Sequence, residues 1–324
     1  MRKFPRPATT PRMGIDEART TETDRSRFQL ALGALVLGAL AVAFAAILPK
    51  QAMAVSSIGP IATAFWRLTL AFPILLTILL IRRPKRKPTN TARRISLPWL
   101  LLPGVIFGFD LLTWHLSFPL TTAANATLLA NLEVVLVGIV GWLVLKEHLR
   151  WQFPLGGAMA LAGVVLLLLS GPDSVEGRNP LAGDLLAIFT AFWYAGYLLS
   201  VKHVRREWDA LSVIVLATFG GMIVLFISTI IKGEAFFPDQ SEAWIYLLLL
   251  AIVPHCIGQG LIIFSLASLP ASLAAVTLLL QPVGAACWGW LILGESLNTV
   301  QIFAGLIVLT GIGLARLGSG PGKS

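Results

Sequence analysis

The stretch Gly141–Leu149 reads GWLVLKEHL, and the stretch Gly289–Leu297, 148 residues later, reads GWLILGESL. Six of the nine positions are identical. The same offset continues upstream, where Glu133 corresponds to Gln281, and downstream after one inserted residue. The chain therefore contains two copies of one structural unit.

The composition places both copies in a lipid bilayer. Of the 324 residues, 56% are hydrophobic and 13% are charged, and the mean hydropathy is +0.80. That is more apolar surface than a soluble globule of this length can bury. The net charge is +9, but the basic residues concentrate in the N-terminal tail and in short connections. This distribution argues against a nucleic-acid-binding face.

Charged and turn residues divide the chain into ten apolar segments. Each has about 20 residues, which is roughly the length a helix needs to cross about 30 Å of hydrocarbon. We therefore expect an all-α integral membrane protein. The predicted spans are 28–48, 57–81, 97–117, 121–145, 152–170, 181–202, 210–231, 242–267, 271–294 and 298–316.

Ten spans in two copies give five helices per repeat. Because five is odd, the second copy enters the membrane in the opposite orientation. The predicted organisation is a disordered, basic cytoplasmic tail at 1–27, a first repeat at 28–170 and a second, inverted repeat at 181–317. Inverted repeats are typical of alternating-access transporters, since two equivalent halves can exchange conformations and open the protein to either side.

The positions of Lys and Arg predict the orientation. With the N-terminus in the cytoplasm, 21 of the 25 basic residues lie in cytoplasmic segments, among them the run RRPKRK at 82–87. This bias follows the positive-inside rule and predicts that both termini are cytoplasmic.

Each copy of the repeated stretch carries a glutamate, Glu147 in the first and Glu295 in the second. Both lie between the end of one helix and the start of the next. A carboxylate there stabilises the positive N-terminal end of the following helix, so we predict a cap. A gating or coupling role is the alternative.

Ionisable residues within spans are the first candidates for function, because a charge in the hydrocarbon centre costs roughly 2.5–3.5 kcal/mol on insertion scales. Arg67 lies inside the second span and Glu133 at the centre of the fourth. In one interpretation, Arg67 simply neutralises Glu133 or Asp110 between helices. In the other, Arg67 or Glu133 meets one end of a zwitterion, or Glu133 takes up a proton during the transport cycle.

Polar and aromatic side chains share helix faces in the third, sixth, eighth and ninth spans, at spacings of three and four residues. Such stripes often serve packing, but a mixture of rings and amides suits a cavity for an amphipathic molecule. Pro282, beside Gln281, is the most suggestive hinge of the ninth span. The predicted substrate-binding residues are Arg67, Asp110, Trp114, Glu133, Trp193, Tyr194, Tyr197, His255, Gln259, Gln281 and Trp288.

Several stretches carry a family resemblance: AFWRLTLAFPILL at 64–76, TTAANATLLANLEVVL at 121–136, and GWLVLKEHL followed by QFPLGGAMALAGVVLLLL at 152–169. In this order the chain resembles the EamA-type, ten-helix members of the drug/metabolite transporter superfamily. The resemblance covers residues 28–317. It implies export of small metabolites, with amino-acid exporters of the bacterial inner membrane as the first choice.

Other functions fit the sequence less well. HExxH and GxSxG motifs are absent and the four histidines show no ligand spacing, so neither an enzyme nor a cofactor or metal site is expected. Sugar-phosphate and nucleotide-sugar carriers would need midplane Lys or Arg, and the segment between Lys232 and Arg316 has neither. Efflux of lipophilic cations through Glu133 and the tryptophans stays open. Proton coupling, facilitated diffusion and oligomeric state also stay open.

Overall fold

A computed structural model of the chain describes residues 13–82, 97–117, 120–121, 123–170, 179–294 and 296–319. Within these ranges, ten helical segments are long and apolar enough to cross a membrane. All regular elements of the described residues are helices. The ten predicted spans and the all-α class are therefore confirmed. Glu295 and most of the basic run at 82–87 lie outside the described residues.

Six spans are single helices. Three of them begin at side-chain caps: Asn179 accepts a hydrogen bond from Ala182 N–H, Asp209 accepts one from Ser212 N–H, and Asn298 forms a capping box. Such caps satisfy amide groups that have no partner inside the helix. Spans 2, 3, 5, 6, 7 and 10 are Pro60–Arg82, Leu97–Ser117, Gln152–Leu169, Pro180–Val204, Ala210–Lys232 and Thr299–Gly318.

The other four spans are interrupted. Pro254 lies in the π-helical part of span 8, where its missing N–H removes a hydrogen bond of the regular ladder. Span 1 joins Met13–Val42, the 3-10 turn Ala43–Ala46 and Leu48–Val55; span 4 joins Ala123–Ala130 and Glu133–Leu143; span 8 joins Ala243–Leu250, Ala251–Gln259 and Gly260–Ser265; span 9 joins Ala271–Leu278 and Leu280–Leu293.

Span 1 also differs from the prediction at its start. The helix begins at Met13, whereas the sequence predicted a disordered tail through residue 27. The polar segment ahead of the membrane contains Glu17, Ala18 and Arg19, which are strong helix formers. A helix nucleated in the apolar segment can propagate through such residues, because elongation adds one hydrogen bond for each residue fixed.

The two repeats interlock instead of lying side by side. Span 1 packs against spans 8 and 9 of the second repeat, span 3 against spans 6 and 7, and span 5 along span 10. Spans 3 and 7 approach closely because Gly104 has no side chain: a Cβ added there would lie 2.5 Å from Ala217 O. Small residues at such crossings let helices pack where lipid supplies no hydrophobic drive between them.

The two copies of the repeated stretch share a left-handed residue at equivalent positions. Lys146 has φ 53° and Gly294 has φ 69°, so both equivalent residues adopt the left-handed conformation. Only glycine enters this region without steric cost, and Lys146 is the one non-glycine residue with positive φ in the described chain. The two copies therefore share this backbone conformation as well as their sequence.

Glu147 caps a helix, but not the one that follows it. Its carboxylate accepts hydrogen bonds from Ala271 N–H at 2.7 Å, from Ser272 N–H at 3.2 Å and from the Ser272 hydroxyl. The capped helix is span 9, which belongs to the other repeat, whereas the sequence predicted the following helix, span 5. The physical reason is tertiary: the turn at Lys146 brings this carboxylate to the start of span 9.

The loop between spans 7 and 8 holds the start of span 2. Glu234 Oε2 accepts a hydrogen bond from Ala62 N–H at 2.9 Å, and the Trp66 indole N–H donates to Phe236 O. Ser57 N–H donates to Asp239 Oδ1 at 2.9 Å, which lowers the pKa of that carboxyl below its ordinary value. Span 2, which carries Arg67, is thus fixed at its N-terminal end by the second repeat.

Candidate functional site

A cavity of about 140 Å³ lies between the two repeats. An apolar cavity of about 150 Å³ admits benzene, so this one suits a molecule of that size without rearrangement. Spans 1, 2, 3 and 4 of the first repeat and spans 6, 8 and 9 of the second repeat line it. Its polar and aromatic lining residues are Arg67, Phe107, Asp110, Trp114, Thr127, Asn131, Glu133, Thr190, Tyr194, Gln259 and Gln281.

Among the described lining residues, one arginine and two carboxylic acids contribute charge, and all three are buried. Arg67 is 3% exposed, Glu133 4% and Asp110 6%. The Arg67 guanidinium lies over the Phe107 ring, 5.9 Å from its centroid. Asp110, one helical turn from Phe107, is the carboxylate whose charge acts on Arg67. Span 3 therefore offers Arg67 an aromatic face and a countercharge from the same side of one helix.

Several buried polar atoms at the cavity lack a partner. Among the described residues, Arg67 Nε and Glu133 Oε2 make no hydrogen bond. The Tyr194 hydroxyl also makes no hydrogen bond of normal geometry to any described residue. The side-chain amides of Gln259 and Gln281 nevertheless lie beside it. Buried polar groups are normally satisfied, and one left without a partner costs about 1–3 kcal/mol. These atoms are thus available to a bound molecule.

The second repeat supplies uncharged groups. Gln259 Oε1 accepts a hydrogen bond from the Tyr197 hydroxyl at 3.2 Å, which leaves its NH2 group as a donor. Thr190 and Thr113 hydroxyls lie 2.8 Å apart. The cavity wall of described residues thus joins a charged face from one repeat to a neutral, hydrogen-bonding face from the other.

Helix breaks precede two of these residues, Glu133 and Gln281. Glu133 is the first residue of the second half of span 4, after a break at residues 131–132, and Gln281 is the second residue of the second half of span 9, after a break at Leu279. Both breaks fall at equivalent places in the repeats. The hinge predicted at Pro282 lies just after the break in span 9. Interrupted helices at mid-membrane are common around transporter binding sites.

The structure separates the predicted residues into two groups. Arg67, Asp110, Trp114, Glu133, Tyr194, Gln259 and Gln281 line the cavity together. The other four lie elsewhere. Trp193 stacks on Phe109 with ring centroids 5.1 Å apart, and Trp288 stacks on Phe44 and donates to Leu40 O.

Tyr197 and His255 form a layer behind the cavity wall. Both rings contact Phe107, at centroid distances of 4.8 and 5.9 Å. His255 Nε2 is also 2.8 Å from the Thr218 hydroxyl. These two residues support Phe107, which in turn lies beneath Arg67, so their position indicates a supporting role.

Thr127 and Asn131 line the cavity, and the sequence reasoning missed both. Thr127 and Asn131 lie four residues apart in span 4, upstream of Glu133. The available signal was their spacing upstream of Glu133, but threonine and asparagine carry no charge and therefore do not stand out in an apolar segment.

The family of the chain follows from this architecture and from comparison with known proteins. The sequence model of the EamA-like transporter family matches residues 29–169 and again 181–317. The chain belongs to the EamA-like transporter family. Each match covers five spans, so this EamA-like protein consists of two repeats, and the second runs through the membrane in the opposite sense to the first. Its activity is membrane transport.

Relatives of this EamA-like protein include transporters from archaea and bacteria. Uncharacterized transporters of Methanothermobacter thermautotrophicus and Archaeoglobus fulgidus are 28% and 26% identical to it. The first alignment covers 59% of this chain and 56% of the relative, the second 79% and 87%. The pseudopaline exporter CntI of Pseudomonas aeruginosa is 24% identical over 75% of this chain and 83% of its own length.

A solved crystal structure shares the fold. It superimposes with a TM-score of 0.73 over 90% of this chain and 98% of the other, at 19% sequence identity. At that identity the likeness concerns the fold alone.

Proposed function

We propose that this protein exports small neutral or zwitterionic metabolites, most readily amino acids, across the bacterial inner membrane by alternating access. The observation that supports this proposal is the pair of unpartnered buried atoms described above, Arg67 Nε and Glu133 Oε2, which belong to opposite charges lining one cavity. A guanidinium binds a carboxylate and a carboxylate binds an ammonium. Arg67 and Glu133 together therefore match the two ends of an α-amino acid.

Asp110 supplies a countercharge to Arg67 when the cavity holds no substrate. Its charge acts on Arg67 and also on Glu133, so it offsets the guanidinium while it repels the second carboxylate. Two like charges in one site disfavour simultaneous ionisation. Glu133 is thus the residue we propose to bind either the substrate ammonium or a proton.

The direction of transport rests on the proposed topology, with both termini in the cytoplasm. In that topology the cavity residues at the end of span 1 and in the second half of span 9 lie in the outer part of the membrane. The cap that Glu147 provides to the start of span 9 then lies on the cytoplasmic side. The name of the CntI relative, an exporter, favours the same direction.

A second candidate, efflux of lipophilic cations, is favoured by the balance of charge in the cavity. Two carboxylates and one guanidinium line its described wall, together with the rings of Trp114 and Tyr194. Such a site attracts cations through charge and ring faces. The same balance opposes phosphorylated substrates, for which only Arg67 would supply a positive group.

Counterflow in proteoliposomes tests these proposals. Liposomes with the purified protein are loaded with an unlabelled neutral amino acid, a sugar phosphate or a lipophilic cation, and uptake of labelled alanine is followed. Exchange with amino acids alone supports the export proposal. Exchange of the cation or the phosphate, measured with the corresponding label, would overturn it while leaving the transporter fold untouched.

A further inference from the structure

The residues around Glu133 can select a substrate group by its hydrogen-bond donors as well as by its positive charge. Glu133 and Gln281 occupy equivalent positions in the two repeats, and Tyr194 from span 6 lies with them in the cavity wall. The Tyr194 hydroxyl interacts electrostatically with the Glu133 carboxyl and lies close to the Gln281 amide. All three groups therefore line the same cavity.

Each of these residues can offer an acceptor to that volume. Glu133 Oε2 makes no hydrogen bond to any described residue. Gln281 presents an amide oxygen, and the Tyr194 oxygen has lone pairs. Gln259, by contrast, already uses its oxygen to accept a hydrogen bond from Tyr197. Glu133, Tyr194 and Gln281 can therefore each offer an acceptor to the cavity that they line.

We propose that Glu133, Tyr194 and Gln281 form a three-acceptor subsite that selects a primary ammonium group. A primary ammonium carries three N–H donors, one for each acceptor, whereas an N-methylated amine carries two and a quaternary cation none. An N-methyl group would also place a carbon against a buried acceptor, which then stays unsatisfied. The inference deepens the proposed function and rests on it.

The test compares amines of equal size in the counterflow assay. Unlabelled alanine is matched with its isomer N-methylglycine, and 2-aminobutyrate with N-methylalanine, as competitors of labelled alanine exchange. We expect each primary amine to compete at about tenfold lower concentration than its N-methyl isomer, as expected for one lost hydrogen bond to a charged group. Equal competition within both pairs would overturn the subsite while leaving amino-acid exchange intact.

Variants locate the selectivity. Tyr194→Phe should bring the two members of each pair to within about threefold while alanine exchange persists, and Gln281→Leu should do the same. The matched control is Tyr246→Phe, which removes a hydroxyl that bonds Glu242 away from the cavity; it should keep the tenfold preference. Unchanged preference in both cavity variants would contradict the proposal. Absence of any amino-acid exchange in the wild type would instead remove the proposed function and the subsite with it.

Discussion

The two repeats share one fold but bring different chemistry to the cavity. The first contributes Arg67, Asp110 and Glu133, whereas the lining residues that the structure describes in the second are uncharged. The contrast is sharpest at Glu133 and Gln281, which lie at equivalent helix breaks. The two copies thus share one backbone fold, whereas the sequence differences between them place the charged lining residues in the first repeat only. Both charged groups proposed to bind the two ends of the substrate, Arg67 and Glu133, come from the first repeat, and the second repeat completes the cavity wall with neutral groups such as Gln281.

The largest expected effect comes from removing the positive charge of the first repeat. Arg67→Met leaves Asp110 and Glu133 without a countercharge in a buried site, and breaking such a set costs about 3–5 kcal/mol. We expect exchange of labelled alanine to fall by at least about 100-fold. Arg67→Lys, which keeps the charge but not the planar fork, should retain part of the activity. Exchange at the wild-type rate in Arg67→Met would exclude Arg67 from substrate binding.

The next comparison makes the two repeats alike at their equivalent positions. Glu133→Gln places an amide in both, and we expect alanine exchange to fall by about tenfold, as for a lost charged hydrogen bond. In the wild type, exchange should decline as the pH falls, because protons compete with the substrate ammonium for Glu133. The variant should show no such pH response, since an amide does not titrate.

A double exchange tests whether the two positions are interchangeable. Glu133→Gln combined with Gln281→Glu moves the carboxylate into the second repeat, and it should restore part of the rate and the pH response. The measurement is the initial rate of alanine exchange at several pH values, with equal protein per liposome, for the double variant and for Glu133→Gln. A pH response that persists in Glu133→Gln alone would remove this residue from any proton coupling.

A smaller effect is expected at the cap that joins the repeats. Glu147→Ala leaves the Ala271 and Ser272 amides without their side-chain acceptor, which costs about 1 kcal/mol. We expect the apparent melting temperature in detergent to fall by a few degrees. Ser272→Ala keeps the backbone bonds and should lower it less. A melting temperature unchanged in Glu147→Ala would show that the cap contributes no stability.

The smallest effect concerns the left-handed turn that both repeats share. Gly294→Ala forces a Cβ into this conformation and should destabilise the protein by about 1 kcal/mol. Lys146→Gly makes the opposite change: it relieves the same strain at the cost of greater chain freedom in the unfolded state. It should leave the melting temperature equal or slightly higher. A clear loss of stability in Lys146→Gly would mean that its side chain has a role of its own.

The spans and the charged core of the site were predictable from sequence for a single physical reason: hydrocarbon penalises charge. Runs of apolar residues long enough to cross a bilayer directly predict membrane-spanning helices. Arg67 and Glu133 are recognisable as candidates because they are charged residues inside such runs. The break after Ala130 carried no comparable signal, because that stretch contains no proline or glycine. Pro282 gave a signal for span 9, which is why a hinge was expected there.

Other features depended on tertiary structure. Trp193 and Trp288 have the residue types of a binding site, yet each stacks on another ring outside the cavity wall, and periodicity cannot show which way a helix face turns. The partner of Glu147 lies 124 residues away in the chain, so local reasoning chose the following helix. The turn at Lys146 was invisible for a different reason, since lysine rarely adopts positive φ.

The interlocking of the repeats has a consequence for biosynthesis. Span 1 is the first helix made, yet it packs against spans 8 and 9: Trp288 donates to Leu40 O, and a Cβ added to Gly38 would lie 3.0 Å from Gly258 O. These partners are synthesised near the end of the chain, followed only by span 10 among the spans. The first helix must therefore wait in the bilayer, stable by itself but without its final neighbours, until almost the whole chain is inserted. Assembly of this transporter should accordingly be completed only after synthesis of the second repeat.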